Sequence, residues 1–221
     1  MPIKSDTPLV VALQLADRGW SVLPLCWSKV DGSCDCPKGH GKKNTGKAPL
    51  TPRGVKDATK DRAVIEGWWA EWPSANVGVA LASSGLVAID CDSLEALQEA
   101  SGLGLAPTVC RMSHWPAYIY LANDDTPQIR LIHWGKSNKI DLLADGYLVF
   151  HGKHQSGRPV YLEWDDVALL PQWVSDALHS KGETTVEIPE VPNDAPPVVL
   201  SATGGDIWYG RMAVDGEDGR V

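Results

Sequence analysis

The chain has 221 residues, of which 43% are hydrophobic and 22% charged, ordinary values for a packed protein. No stretch approaches the roughly 18 uncharged apolar residues that a membrane span needs, and the first 20 residues carry Asp6 and Asp17 without the cleavage site of a secretory signal. These features exclude the membrane, fibrous and disordered classes and predict a cytoplasmic enzyme or binding module.

The spacing of apolar residues predicts four helices and eight short strands. The segment 61–72, for example, begins with the N-cap candidate Asp61 and stops before Pro73. Helices are predicted over 7–18, 61–72, 93–100 and 170–179, and strands over 20–25, 76–81, 85–90, 108–112, 117–121, 139–143, 147–150 and 160–163. Helices and short strands without strict alternation indicate the α+β class.

A long segment without periodicity, residues 26–60, is rich in Gly, Lys and Pro and is predicted to be a functional loop. Eight basic residues against two acidic ones between Lys38 and Arg62 give this stretch a charge of +6, in a chain whose net charge is −8. The local excess predicts an anion-binding loop, and a solvated lysine-rich loop is the alternative. The candidate DNA contacts are Lys42, Lys43 and Lys47.

Three of the five cysteines lie in this loop with a histidine, as Cys26, Cys34, Cys36 and His40. An odd number of cysteines in a chain without a signal argues against a disulfide framework. Thiolate and imidazole donors at this spacing suit a closed tetrahedral Zn²⁺ site, which would stiffen the loop and present its lysines to phosphates. Unliganded reduced thiols are the alternative. The other two cysteines, Cys91 and Cys110, lie in apolar runs and are predicted to be core residues.

The composition of the chain changes near residue 181. Residues 182–221 hold eight acidic residues against two basic ones, and the first part of this stretch contains four prolines. We predict a main domain over 1–180, a proline-rich acidic linker over 181–203, and the truncated start of a following region over 204–221.

A pair of carboxylates ends an apolar strand that begins near Gly85. Asp90 and Asp92 are spaced i, i+2, so both side chains project from one face of the strand. Two adjacent carboxylates at a buried strand end are unfavourable unless a cation neutralises them, and their hard oxygens suit Mg²⁺ or Mn²⁺. Asp141, a lone acid in another short strand, would complete a two-ion site if the strands pair. Solvated acids, with Asp92 capping the next helix, are the alternative.

Short motifs occur in order between about residues 7 and 180, and together they resemble a known family. They are Leu-Ala-x-Arg-Gly-Trp-Ser-Val-x-Pro-Leu, the Gly-Lys-x-Pro of 46–49, Asp57-Ala-Thr, Ile65-x-x-Trp-Trp, Trp72-Pro-x-Ala-Asn-Val-Gly, Asp90-x-Asp, Ile140-Asp, Asp145-Gly-Tyr, His154-x-Ser-Gly, Tyr161-x-x-Trp and Leu170-Pro-x-Trp. The family is the bifunctional primase–polymerase N-terminal domain of phage and plasmid replication proteins, within the archaeo-eukaryotic primase superfamily.

The resemblance implies DNA primase and DNA polymerase activity, by nucleotidyl transfer on a single-stranded DNA template with nucleoside triphosphates. It implies that Asp90, Asp92 and Asp141 hold two Mg²⁺ or Mn²⁺ ions in a primase-like core of short mixed strands flanked by helices. It also implies a helicase region C-terminal to this one, and the cytoplasm of a bacterial host if the protein is phage- or plasmid-encoded.

One motif departs from the family pattern. Where the family has Ser-Gly-Gly-x-His before an aromatic strand, this chain has Ser113-His-Trp-Pro-Ala-Tyr118, so that Tyr118 matches the histidine and His114 and Trp115 replace glycines. Either His114 substitutes for the histidine, or Arg111 and nearby lysines bind the triphosphate. The candidate nucleotide-binding residues are Arg111, Ser113, His114, Lys139, Lys153 and His154. For each of them, a solvated side chain is the alternative. His133 and His151 are predicted to be isolated structural residues.

Two other functions fit the same residues. A metal-dependent phosphodiesterase would use the same aspartates to activate water, although no dedicated base is evident. A zinc-stabilised module that binds single-stranded DNA without catalysis would use the basic loop alone.

Overall fold

The structure is a computed structural model that describes residues 7–136, 139–154, 156–163 and 166–180. The predicted linker and the region after it lie outside the described residues. The helices are α1 (Pro8–Asp17), α2 (Arg62–Glu71), α3 (Leu81–Ser84), α4 (Leu94–Gly102) and α5 (Gln172–His179). The strands are β1 (Ser21–Leu25), β2 (Asn76–Ala80), β3 (Leu86–Cys91), β4 (Val109–Met112), β5 (Ala117–Leu121), β6 (Ile132–Trp134), β7 (Ile140–Leu143), β8 (Tyr147–Lys153) and β9 (Pro159–Glu163).

The nine strands form one curled sheet in the order β1-β2-β8-β9-β4-β5-β3-β7-β6. Each neighbouring pair of these described strands is antiparallel. The prediction of an α+β fold is therefore confirmed. Strand β3, which carries the Asp-x-Asp pair, lies inside the sheet with β5 on one side and β7 on the other.

Helices α1 and α2 cover the first part of the sheet and begin where their capping residues predict. The Thr7 side chain accepts a hydrogen bond from Val10 N, and Asp61 Oδ1 accepts from two backbone N–H groups of the first turn of α2. The apolar stripes of the two helices bury Leu15 and Trp69 against the fully buried strands β1 and β2. None of the helices in the described part of the chain is long and apolar enough to span a bilayer.

Two elements were not predicted from the sequence. Strand β6 has three residues and a solvent-facing centre, so it lacks the apolar run by which a strand is recognised. Helix α3 is a single turn in a segment that we predicted to be strand end and turn, and it ends at Gly85, whose φ of 64° is left-handed.

Asn76 fastens the basic loop to the sheet. Its buried Nδ2 donates to Gly46 O and to Lys153 O, both at 2.8 Å, and its Oδ1 accepts from Lys153 N at 2.9 Å. Gly152, with a φ of 129°, leaves the space that the Asn76 side chain occupies, because a Cβ there would overlap it. The end of β8 and the loop around Gly46 are thus held together, and both reach the candidate site described below.

Candidate active site and metal centre

A row of directly paired residues crosses the sheet at the end of β3. Asp90 lies opposite Asp141 of β7 on one side and opposite Ala117 of β5 on the other, and Ala117 lies opposite Arg111 of β4. Directly opposed residues project from the same face, with Cα atoms about 4.5–5.5 Å apart in an antiparallel pair. Asp92 continues the pairing, since its N–H donates to Lys139 O at 3.0 Å. The register therefore brings the three predicted aspartates together at the C-terminal end of β3.

Arg111 reaches across β5 to Asp90. The side chain between them, Ala117, is small and fully buried, so it leaves the guanidinium room to cross. Arg111 Nη2 donates to both Asp90 oxygens, at 2.9 Å and 2.8 Å, and Nη1 donates to Ser113 Oγ at 2.8 Å. The site thus contains an internal counter-ion that the linear sequence does not reveal, because the contact depends on the register of three strands.

The carboxylates of Asp90, Asp92 and Asp141 repel one another. Burial and the charges of Asp92 and Asp141 raise the pKa of Asp90 to about 6, although Arg111 acts in the opposite direction. Burial and the charge of Asp141 likewise raise the pKa of Asp92. A divalent cation would relieve this repulsion, and carboxylate oxygens are its preferred ligands. The three aspartates therefore fit the chemistry of Mg²⁺ or Mn²⁺, in competition with the Arg111 guanidinium on Asp90.

His133 is a site residue that sequence reasoning missed. It lies opposite Asp141 in the β6–β7 register, and its Nδ1 is 2.7 Å from Asp141 Oδ1. The expectation that His133 is isolated is therefore wrong. The unpredicted strand β6 is what places it, so no local sequence signal could have shown the contact.

Replacing His133 with alanine is expected to weaken Mn²⁺ affinity about tenfold, because Asp141 loses the partner that orients its carboxylate. Titration calorimetry with Mn²⁺ in the presence of dATP measures the change. His179→Ala is the matched control and should leave the Mn²⁺ affinity unchanged. His179 also lies beside an acid, with its Nε2 3.7 Å from Asp125 Oδ2, but it belongs to α5 and contacts none of the three aspartates. Equal affinities of wild type and His133→Ala would contradict the positioning role.

A cleft of about 390 Å³ opens beside the aspartates. Its lining includes the acids Asp90 and Asp92 and four basic or imidazole side chains: Lys47, Arg111, His114 and His154. Burial, together with the positive charge of Arg111 and Lys47, lowers the pKa of His154. Acids that suit metal ions and cations that suit phosphates thus share one cavity, as a metal–nucleotide complex would require.

The predicted phosphate-binding residues separate into two groups. Arg111, Ser113, His114, His154 and Lys47 line this cleft. Lys153 instead lines a larger cleft of about 960 Å³ beside the loop, and Lys139, just before β7, accepts a hydrogen bond from Asp92 N. Lys42 and Lys43 lie exposed on a 3₁₀ turn and do not line the smaller cleft.

Counted from Ser113, the fifth position of Ser-Gly-Gly-x-His is Ala117, so the match of the motif histidine to Tyr118 is wrong by one residue. Tyr118 follows Ala117 on β5 and therefore projects from the face opposite to Asp90, with Ile89 and Cys110 as its register partners. The β5 residue beside Asp90 is Ala117. His114 lines the cleft from the turn before β5, where its Nδ1 accepts from Arg158 Nη1 at 3.0 Å.

The Cys/His loop forms a second centre. Donor atoms of Cys26, Cys34, Cys36 and His40 all lie within 4.8 Å of one another, and no other group of three or more Cys, His, Asp or Glu in the described residues meets as closely. The Sγ atoms of Cys26 and Cys36 are each 3.2 Å from Cys34 Sγ, and His40 Nδ1 is 3.1 Å from Cys36 Sγ. The four residues that the sequence singled out are therefore brought together.

This centre fits a tetrahedral metal ion. Ligand atoms bonded at about 2.3 Å to a zinc ion lie roughly 3.8 Å apart, close to the separations found here. Burial opposes ionisation of Cys34, but hydrogen bonds with Cys26 and Cys36 lower its pKa to about 6. Burial raises the pKa of Cys26, whose thiol a metal would have to deprotonate.

The family model described as bifunctional DNA primase/polymerase, N-terminal, matches residues 12–173. The chain therefore belongs to this family, as the ordered motifs predicted. No curated protein matches the chain. Membership makes it a domain of the DNA primase/polymerase type, a nucleotidyltransferase class whose substrates are DNA and nucleotides and whose members depend on metal ions.

Proposed function

We propose that this domain extends DNA or starts primers on a single-stranded template, with Asp90, Asp92 and Asp141 holding two Mg²⁺ or Mn²⁺ ions. One observation carries the proposal: the register sets Asp141 directly opposite Asp90, and Asp90 lines a cleft to which cationic side chains also contribute. Two divalent ions in such a site stabilise the attacking and the leaving oxygens of an in-line phosphoryl displacement.

The cleft residues have separate roles in this proposal. Lys47, Arg111 and His114 bind the triphosphate of the incoming nucleotide, because they are the cationic or donor groups beside the acids. Burial and neighbouring cations lower the pKa of His154, and this residue donates a hydrogen bond to the nucleotide. The 3′-hydroxyl of a primer, or of the first nucleotide, attacks the α-phosphate, and pyrophosphate leaves towards the cationic side chains.

We also propose that Cys26, Cys34, Cys36 and His40 bind a structural Zn²⁺, which holds the basic loop against the sheet. Lys42 and Lys43, exposed on that loop, are proposed to contact the DNA backbone. The replication of a phage or plasmid genome, with a helicase as the partner region, is the setting that the resemblance suggests.

Incubation with a primed single-stranded template, nucleotides and Mn²⁺ tests the activity. Wild type is expected to extend the primer and to synthesise short products without one, and Asp90→Ala/Asp92→Ala is expected to do neither. Equal products from both proteins would exclude this active site. Degradation of labelled DNA without nucleotides would favour the phosphodiesterase, and salt-sensitive binding without incorporation would favour the DNA-binding module.

A further inference from the structure

Arg111 occupies the position on Asp90 that a metal ion needs. Its Nη2 lies within 2.9 Å of both carboxylate oxygens of Asp90, and both side chains are largely buried, with exposed fractions of 10% and 20%. A guanidinium that bridges both oxygens in a site of low dielectric is a strong counter-ion. In the free protein, the guanidinium of Arg111 therefore already balances the charge of the Asp90 carboxylate.

The guanidinium and a divalent ion compete for the same two oxygens. Two cations held at hydrogen-bond and coordination distance from one carboxylate repel each other strongly where water is scarce. Binding of a metal ion to Asp90 therefore requires Arg111 to move away from at least one oxygen. Ser113 is a neutral partner, and leaving Arg111 buried without an anionic one would cost several kcal/mol, so it needs another negatively charged acceptor.

The cleft shows where Arg111 can move. Arg111 lines the same cavity as Lys47, His114 and His154, so anionic oxygens in that cavity lie within reach of the guanidinium. Its Nε is buried and has no hydrogen-bond partner among the described residues, so part of its donor fork is unused while it contacts Asp90. A triphosphate offers several oxygens that match a guanidinium fork.

We propose that Arg111 couples metal binding to nucleotide binding. In the free protein it neutralises Asp90 and disfavours metal ions; when a nucleoside triphosphate enters the cleft, it transfers to the phosphates and leaves the Asp90 oxygens to the metal. By linkage, the nucleotide and the metal each raise the affinity of the other. The inference rests on the proposed function, of which it specifies the order of assembly.

Titration with Mn²⁺, with and without dATP and in the absence of DNA, tests the coupling. Free Mn²⁺ is followed by electron paramagnetic resonance, with dATP alone as the blank. Arg111→Gln is expected to bind Mn²⁺ at least tenfold more tightly than wild type when no nucleotide is present. The tightening produced by dATP is expected to be at least tenfold larger in wild type than in Arg111→Gln. Arg62→Gln, which removes an exposed arginine ion-paired to Asp17, is the matched control and should behave as wild type.

One further variant and a second measurement keep the result interpretable. Arg111→Lys retains a charge on a side chain that is one atom shorter and reaches Asp90 less well, and it is expected to bind Mn²⁺ about threefold or more tightly than wild type. Arg111→Gln is expected to melt at a lower temperature than wild type without metal and to regain stability in Mn²⁺, whereas wild type gains little from Mn²⁺ alone. The inference is overturned if Arg111→Lys and Arg111→Gln both bind Mn²⁺ with the affinity of wild type. If Arg111→Gln does not fold, an unchanged affinity in Arg111→Lys alone overturns it.

Asp90→Asn separates this inference from the proposed function. It is expected to abolish the Mn²⁺ binding that depends on dATP and to show the background from any other site, including the Cys/His centre. If Asp90→Asn binds Mn²⁺ as wild type does, the proposed metal site itself fails. If Asp90→Asn loses binding while the Arg111 variants match wild type, only the coupling fails.

Discussion

Asp92→Asn is expected to inactivate the protein and to stabilise its metal-free fold. Incorporation of nucleotides should fall about 10³-fold, because several kcal/mol of transition-state stabilisation depend on a charged metal ligand. In buffer without divalent metal at pH 7, the free energy of unfolding should rise by about 0.2–0.5 kcal/mol, because the variant no longer holds a charged carboxylate beside Asp141 and water screens the repulsion at the exposed Asp92. Primer extension and thermal unfolding measure the two effects.

The pH dependence of the stability difference provides a second test. The pKa of Asp92 is raised in the folded protein, so the ionised carboxylate opposes folding, and this cost is absent once the group is protonated. The advantage of Asp92→Asn should therefore shrink as pH falls below the folded-state pKa. Asp57→Asn is the control, and it should lower the free energy of unfolding instead of raising it. A hydrogen bond from the Arg53 backbone and the Arg53 side chain lower the pKa of Asp57, so the ionised Asp57 carboxylate stabilises the fold. A metal-free Asp92→Asn protein less stable than wild type would contradict the repulsion.

Cys34→Ser is expected to remove one equivalent of zinc and to lower the melting temperature by about 10 °C. Cys34 Sγ lies 3.2 Å from both Cys26 Sγ and Cys36 Sγ, so its loss opens the centre. Structural zinc contributes folding free energy directly, and a loss of about 3–5 kcal/mol corresponds to this shift for a domain of this size. Zinc content by plasma mass spectrometry and thermal unfolding measure the effect.

Cys110→Ser is the matched control for the zinc prediction. Cys110 lies on β4 outside the Cys/His centre, with its Sγ 3.3 Å from Met112 Sδ, so zinc content should stay at one equivalent. Wild type purified without zinc, or Cys34→Ser that retains a full equivalent, would contradict a structural zinc site at these residues.

Local sequence was sufficient for most elements and for the Cys/His centre. Apolar runs bounded by turn residues predicted β1 to β5 and β7 to β9, since burial on a sheet face leaves this pattern in the sequence. The four ligands of the Cys/His centre are close in sequence, from Cys26 to His40, so a short loop is enough to bring them together. Both predictions needed no knowledge of long-range pairing.

The contacts that define the candidate site could not be predicted in the same way. Whether Asp141 lies beside Asp90 depends on β7 pairing with β3, and whether Arg111 reaches Asp90 depends on β5 lying between them with Ala117 in register. The alternation of β5 also determines that Tyr118 faces away from Asp90. Strand order and register are set by the whole sheet, and a shift of one residue would reverse each of these side chains.

The order of the strands also affects how the protein folds during synthesis. Strand β2 has β8 as its second neighbour, with Val77 opposite His151, and β4 reaches the rest of the sheet only through β9 and β5. At roughly 5–20 residues per second, a ribosome needs several seconds to make the chain between β2 and β8. During that time the edge of β2 is open and the acids of β3 have no β7 beside them. Such distant pairings slow folding, and chaperones that cover open strand edges would raise the yield of native protein.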